Sequence, residues 1–446
     1  MILTKLELTN FKGFQHATIE FDPKLNVIVG KNGAGKSSIL EAIVKCFYSL
    51  TSRYISSGHT QNLYQVSEYD INHKSNCTKV KLDLYDKDQI FNGEIISLLT
   101  TAGYLSQDDE ILLTENSNLK NQYIQNLKNK IEKGAISIPV IKLYPASRTN
   151  TSSIQSNNSV LQISQLEPWL HMIHNSISQN SFFNWIYEIE NKELRKQKDD
   201  PLYVDPLLEP IRKAILSAFE ILNGATYKLI SESYQRVGTN TFIPTIALKN
   251  IQTGIKEILQ QKSEGEKALI ILIADIVYTL AISAVSENIN ILERTAIIMI
   301  DEVDTHLHPN WQRKVLGVLR KIFPNIQLIV TTHSPQVISS VHSENIISLD
   351  NYSVNKIGQK TYGFDTNNVL NNIFDEDERP TQITSIYKKF NAALSNNESI
   401  ETLTSFVDEL KEIDKEDSGN GKNPIIEEML YQIEAYKFDL KNESDK

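Results

Sequence analysis

The sequence predicts an α/β fold: a head built on a mixed β-sheet, with an antiparallel N-terminal β lobe, a helical insertion and an α-helical C-terminal tail. Three observations predict it. An apolar run over residues 25–29 leads into Gly30-Lys31-Asn32-Gly33-Ala34-Gly35-Lys36-Ser37, a G-x-x-x-x-G-K-[ST] loop set between a strand and a helix. Residues 297–300 and 327–331 are apolar, β-rich runs of the kind buried on both faces of a parallel sheet. Near the start, Leu3, Leu8, Ala17, Ile19 and Phe21 lie in two short alternating segments around Asn10-Phe11-Lys12-Gly13-Phe14, the pattern of a β-hairpin.

Each further element follows from its own pattern. From Lys36 a helix carries Ile39, Leu40, Ile43 and Val44 on one face. Residues 79–85 alternate as a strand, 108–133 read as a helix with widely spaced leucines, and 136–144 read as another strand. Residues 148–165 are rich in Ser, Asn, Thr and Gln and form a loop. Residues 169–222 are helical in pattern, broken at Pro201 and Pro206. The stretch 268–285 is almost wholly apolar, yet it contains Asp275 and follows a charged motif, so it reads as a buried helix and not a membrane span. Residues 414–423 form a polar linker and 425–436 a terminal helix. Within 403–410, Leu403, Phe406, Val407 and Leu410 share one helical face, which suits either docking or local packing. The expected division is residues 1–150 for a first lobe with the glycine loop and 151–250 for a helical insertion and second lobe. Residues 251–350 carry the remaining motifs, and 351–446 form an oligomerisation or docking region.

Composition narrows the function. With 446 residues and 40% hydrophobic content, two or three domains of about 100–200 residues, or one domain with large insertions, are expected. A net charge of −10 requires any nucleic-acid contact to come from a local patch. Two isolated cysteines, Cys46 and Cys77, supply neither a disulfide framework nor a zinc site, and Glu7 interrupts any apolar leader, so the expected location is the cytoplasm. Lys192, Arg195, Lys196 and Lys198 form a basic cluster flanked by Glu190, Glu193, Asp199 and Asp200, the composition of a salt-bridged solvent face or a nucleic-acid patch.

The glycine loop lets backbone N–H groups wrap a triphosphate, with the helix start adding favourable dipole. Gly30, Asn32, Gly33, Gly35 and Ser38 belong to this cradle, Lys36 reaches the outer phosphates, and Ser37 ligates Mg²⁺. The strand 297–300 delivers Asp301 to the metal, and Glu302, one residue on, is placed to activate water. The next apolar strand ends at His333, positioned to sense a γ-phosphate. Ser263, Gly265 and Glu266 open the apolar helix; taken alone, Ser263 and Glu266 form a capping box.

At Lys262-Ser263-Glu264-Gly265-Glu266 the sequence resembles the LSGGE signature of ABC-type ATPases, with Lys262 and Glu264 departing from it. That resemblance implies an ABC-ATPase, P-loop NTPase head that binds ATP and Mg²⁺. It also implies a homodimer in which Ser263, Gly265 and Glu266 of one copy close over nucleotide on the other. The opening 8–14 resembles SMC, Rad50 and RecF-like ATPases, which implies DNA-related work and places Lys12 near the nucleotide. Gln155 is the candidate Q-loop glutamine at the metal. Segments 138–148, 182–188 and 302–309 resemble OLD-like ATPases. The segment 362–367 with Glu378-Arg379-Pro380 resembles the Septu antiphage ATPase subunit of the PtuA type, also found beside retrons. This subgroup implies assembly beyond the dimer and a separate HNH-type nuclease, with no membrane partner. Nucleic acid is expected, through that partner or directly. The run 375–378 reads as a solvated acidic loop and not a nuclease metal site. The rival readings are a RecF- or Rad50-like repair ATPase and a non-hydrolysing scaffold.

Overall fold

Three runs with no polar face explain the central sheet of this computed structural model. Strands β3 (Leu25–Gly30), β10 (Ala296–Ile300) and β11 (Ile326–Thr332) are buried at every position, so each is covered on both faces. They sit in a six-stranded sheet of order β13-β12-β3-β11-β10-β6, completed by β6 (Ile141–Tyr144), β12 (Ile346–Asp350) and β13 (Ser353–Lys356). Every pairing is parallel except β12 with β13, which makes the sheet mixed. Val29 pairs with Thr332, and Ile300 with Val330. Gly30, Asp301 and His333 therefore leave the sheet along one edge, the carboxyl end where open α/β sheets bind ligands.

The structure describes residues 1–52, 65–85, 95–104, 106–132, 138–146, 172, 179–235, 242–284, 290–358, 360–374, 379–415 and 423–444. They divide into two units, Met1–Asp365 and Thr366–Lys446. In the first, β1 (Ile2–Phe11), β2 (Phe14–Glu20), β4 (Cys77–Tyr85) and β5 (Ile95–Gly103) form an antiparallel sheet of order β2-β1-β4-β5. Helix α1 (Lys36–Thr51) packs Ile39, Leu40, Ile43 and Val44 into one core shared with Leu6, Leu8 and Ile28. Gln327, buried in β11, accepts from the Leu3 amide at 2.8 Å and donates to the Leu3 carbonyl at 2.7 Å, stitching the lobe to the central sheet. Burial pushes the Cys46 thiol up to about 12, and both cysteines are free.

Helices α2 (Gln107–Glu132), α3 (Gln179–Lys196) and α4 (Leu208–Asn223) stand where the periodicity puts helices. Of the strand expected over 136–144, residues 136 and 137 lie outside the described residues; among the rest, Ile141–Tyr144 is strand and 138–140 are not, Pro139 lacking a ladder donor. Unanticipated is a three-stranded antiparallel sheet of β7 (Tyr227–Gln235), β8 (Phe242–Asn250) and β9 (Lys256–Ile258), entered through the left-handed Gly224 that ends α4. Helix α5 (Glu264–Ile282) is the buried apolar helix, and α6 (Val315–Ile322) joins β10 to β11. Among the described residues no helix is long and apolar enough to cross a membrane.

The second unit holds α7 (Thr381–Ser395), α8 (Ile400–Asp414) and α9 (Pro424–Ser444) around its own core. Leu403, Val407 and Leu410 are spent inside that core, and Phe406 packs against it. This settles the α8 stripe as local packing. The loop 148–165 and the acidic run 375–378 lie outside the described residues.

Candidate nucleotide site

Gly35 caps α1 in left-handed backbone, φ 102°, and the cap makes no side-chain hydrogen bond to the helix start. The helix start thus offers N–H groups and the positive end of its dipole to an anion. A Cβ on Gly35 would lie 2.7 Å from the Phe14 ring and 2.8 Å from that of Tyr352, so both shape and space demand glycine. Those rings meet edge to face at 5.2 Å. Lys36 is 6% exposed and donates to the Gly30 and Lys31 carbonyls at 2.9 and 3.1 Å. Burial lowers its pKa, while Asp301, Glu302 and Asp304 act in the opposite direction. Asn32 and Gly33 are exposed beside it, and Ser38 is half-buried.

Ser37 Oγ donates to Asp301 Oδ2 at 2.7 Å. The other Asp301 oxygen accepts from the Thr331 hydroxyl, and the same hydroxyl accepts from the Glu302 amide at 2.7 Å. The Asp301 amide donates to the Tyr144 carbonyl at 2.8 Å. Glu302 has φ 47°, a left-handed conformation that costs a non-glycine residue about 1–3 kcal/mol. Thr305 donates to its carboxylate at 3.1 Å. Thr332 bonds Asp304, and His333 follows on the same edge. Burial first, then Lys36, lowers the pKa of His333 against the pull of Asp304, Glu302 and Asp301. One cluster therefore unites Gly30, Lys36, Ser37, Asp301, Glu302 and His333.

Ser263, Gly265 and Glu266 start α5. Ser263 Oγ accepts from the Glu266 amide at 3.3 Å and donates to its carboxylate at 2.8 Å, the capping box expected of an S-x-x-E helix start. Among the described residues, the hydrogen bonds of Ser263 lie within this exposed turn. Glu264, which replaces a signature glycine, pairs with Lys267 at 2.6 Å. Gly265 has a separate reason to be glycine: a Cβ there would lie 2.1 Å from the His306 carbonyl. The start of α5 thus rests directly on the segment that follows Glu302.

Other candidates stand apart from this cluster. The Lys12 ammonium pairs with Glu41 on α1, and its amide bonds the Asp70 carbonyl. Gln155 lies outside the described residues. In the basic cluster of α3, Glu190 and Glu193 do not pair with the neighbouring cations. They turn inward to Arg212, at 3.0 and 2.7 Å, leaving Lys192, Arg195 and Lys198 exposed.

Sequence reading missed two features. Thr331 carries no motif of its own. Asp275 on α5 accepts from Tyr144 Oη at 2.6 Å and pairs with Lys142 at 2.7 Å, joining α5 to β6. Burial and the adjacent Asp275 carboxylate raise the Tyr144 pKa well above its usual range. The signal was the lone acid in an apolar run, a buried charge that requires a partner.

The residues fit a magnesium–triphosphate. The left-handed Gly33 and Gly35 open a backbone cradle, and Ser37 with Asp301 offers the one or two hard oxygens that Mg²⁺ takes from protein. A family model described as the RecF/RecN/SMC N-terminal domain matches residues 2–355. Among curated proteins, the chain is 30% identical to a retron Ec83 probable ATPase of Escherichia coli, covering 84% of this chain and 77% of the relative. It is 27% identical to a retron Vc95 probable ATPase of Vibrio cholerae, covering 77% and 72%. It is 24% identical to a Septu protein PtuA of Bacillus thuringiensis, covering 86% and 88%.

Proposed function

The chain belongs to the RecF/RecN/SMC N-terminal-domain family and is an ATPase, and from that premise we propose that it is the nucleotide-driven sensor and regulatory subunit of an antiphage defence system, controlling a separate HNH-type nuclease. One observation above all supports the catalytic half: Ser37 and Asp301 meet at 2.7 Å across 264 residues of sequence. The defence half draws support from relatives named as retron ATPases and a Septu protein.

In this reading the loop around Gly30, Asn32, Gly33 and Gly35 binds the triphosphate. Lys36 exchanges the Gly30 and Lys31 carbonyls for phosphate oxygens. Ser37 and Asp301 would hold magnesium, which when bound would supply positive charge beside the phosphates. Glu302 orients the attacking water and takes its proton, giving ADP and phosphate. His333, whose protonated form burial disfavours, faces the outer phosphate. Ser263 and the first amides of α5 come from a second copy; in support, among the described residues Ser263 bonds only within its own helix start and is exposed. The γ-phosphate is then the differential contact that favours the closed pair, and its loss releases it.

Native mass spectrometry of the protein purified with its neighbouring genes, with and without Mg²⁺-ATP, tests this reading. A small HNH-type nuclease travelling with a multiple of the 50.7 kDa subunit is the expected result. An ATP-driven monomer–dimer equilibrium without any protein partner contradicts it. One observation favours a second reading, direct action on DNA: Lys192, Arg195 and Lys198 are exposed while Glu190 and Glu193 face Arg212. Stimulation of the ATPase by bare DNA, with no partner protein present, separates the two.

A further inference from the structure

We propose that Thr331 is a positioning residue for hydrolysis, its single hydroxyl aligning both acids of the site. The inference rests on the roles assigned above to Asp301 and Glu302. Thr331 lies on β11, the strand between the phosphate-loop strand and the acidic strand, and its side chain is fully buried. Its hydroxyl has one proton and spends it on Asp301 Oδ1. That leaves Oδ2 facing Ser37 Oγ at 2.7 Å, so the two oxygens assigned to the metal are set by a bond on the far side of the carboxylate. The lone pairs of the same hydroxyl take the Glu302 amide at 2.7 Å, and the Thr331 carbonyl takes the Val303 amide at 3.0 Å.

These two bonds bracket Glu302, whose φ of 47° a carboxylate-bearing residue adopts only when its surroundings impose it. Thr331 imposes it from both sides. The left-handed step turns the chain out of the straight line of β10, so that Asp301 and Glu302 do not simply alternate across the sheet as consecutive strand residues do. One threonine thereby sets the orientation of the metal-side carboxylate and the backbone of the water-activating one. A valine of the same shape fills the space but neither donates nor accepts. A serine does both.

The experiment compares parental protein, Thr331→Val, Thr331→Ser and Glu302→Gln in full-length form. Three quantities are measured: binding of a fluorescent ATP analogue without metal, the Mg²⁺ concentration that half-saturates metal-dependent binding, and single-turnover hydrolysis at saturating Mg²⁺. Thr331→Val is expected to bind nucleotide without metal within about twofold of parental. Its half-saturating Mg²⁺ rises, and its hydrolysis falls, each by about 10–100-fold, the usual effect of removing the partner of a metal-site carboxylate. Thr331→Ser restores both to within about threefold. Parental behaviour in Thr331→Val overturns the proposal. So does a serine variant as impaired as the valine one, since packing and not the hydroxyl would then be at work. If Thr331→Val does not melt cooperatively, Thr331→Cys, close in size but a weak donor, takes its place under the same criteria. Parental hydrolysis in Glu302→Gln would remove the assigned base. The Mg²⁺ measurement would still decide the Asp301 arm.

Discussion

Glu302 stands in a backbone conformation that only a glycine adopts freely, and its carboxylate is held by Thr305. A general base contributes about 10²–10⁴-fold to a rate, so Glu302→Gln is expected to lose turnover by that factor while binding ATP at parental affinity. Filter binding and phosphate release measure the two separately, and parental turnover would remove the assignment. His333 gives a pH signature. Its folded pKa lies below the ordinary value of 6.5 because burial and Lys36 disfavour the proton. Between the folded pKa and 6.5 the unfolded chain therefore binds more protons, and stability rises with pH. This contribution is complete above about pH 6.5 and is lost as pH falls through the folded value. Melting curves of His333→Gln are expected to depend less steeply on pH just below 6.5 than parental curves, and identical slopes would contradict the shift. The motif residues were legible because each is local: a loop of eight residues, or an acid pair at the end of an apolar run. Thr331 was not, because its partners lie about thirty residues away and the register of β10 against β11 decides which hydroxyl faces Asp301.

At the scale of elements, α5 is tied twice to the elements of the candidate site. Its start packs Gly265 on the His306 carbonyl, and its middle binds Asp275 to Lys142 and Tyr144 of β6. Breaking one side of a buried pair leaves an uncompensated charge, at about 3–5 kcal/mol. Lys142→Met is expected to lose stability of that order by denaturant titration; a loss under 1 kcal/mol would show the pair to be dispensable. Gly265→Ala is expected to impair hydrolysis through displacement of residue 306 even with Ser263 intact, and unimpaired hydrolysis would contradict the close approach. Asp275 was visible in the sequence as a charge in an apolar run, but its partners were not. Lys142 and Tyr144 alternate with apolar residues on a four-residue strand too short to show a pattern. The β7–β9 sheet was missed for a similar reason. Its pairing is made between segments whose apolar positions, such as Leu229 and Leu248, fit a helix as well until the register joins them.

For the whole molecule, local signals named the fold class because the inner parallel strands are mostly apolar and buried at every position and the phosphate loop has few structural alternatives. Tertiary contacts decided the rest. The cluster on α3 could not be read from composition, since Arg212, sixteen residues beyond Lys196, takes the acids that would otherwise neutralise it. The α8 stripe likewise went to a core that only α7 and α9 create. Among the described residues Ser263 bonds only within its own helix start, and the proposed head-to-tail pair sets it opposite the Lys36 of another copy. Mixing two inactive variants, Lys36→Ala and Ser263→Arg, is the direct measurement. If the site is shared, half of the dimers in an equal mixture are mixed, and each keeps one intact site of two. ATP hydrolysis is predicted to return to about a quarter of the parental rate. A mixture as inactive as either variant alone, with mixed dimers shown to form, would mean that each chain completes its own site, and the head-to-tail pair would be wrong.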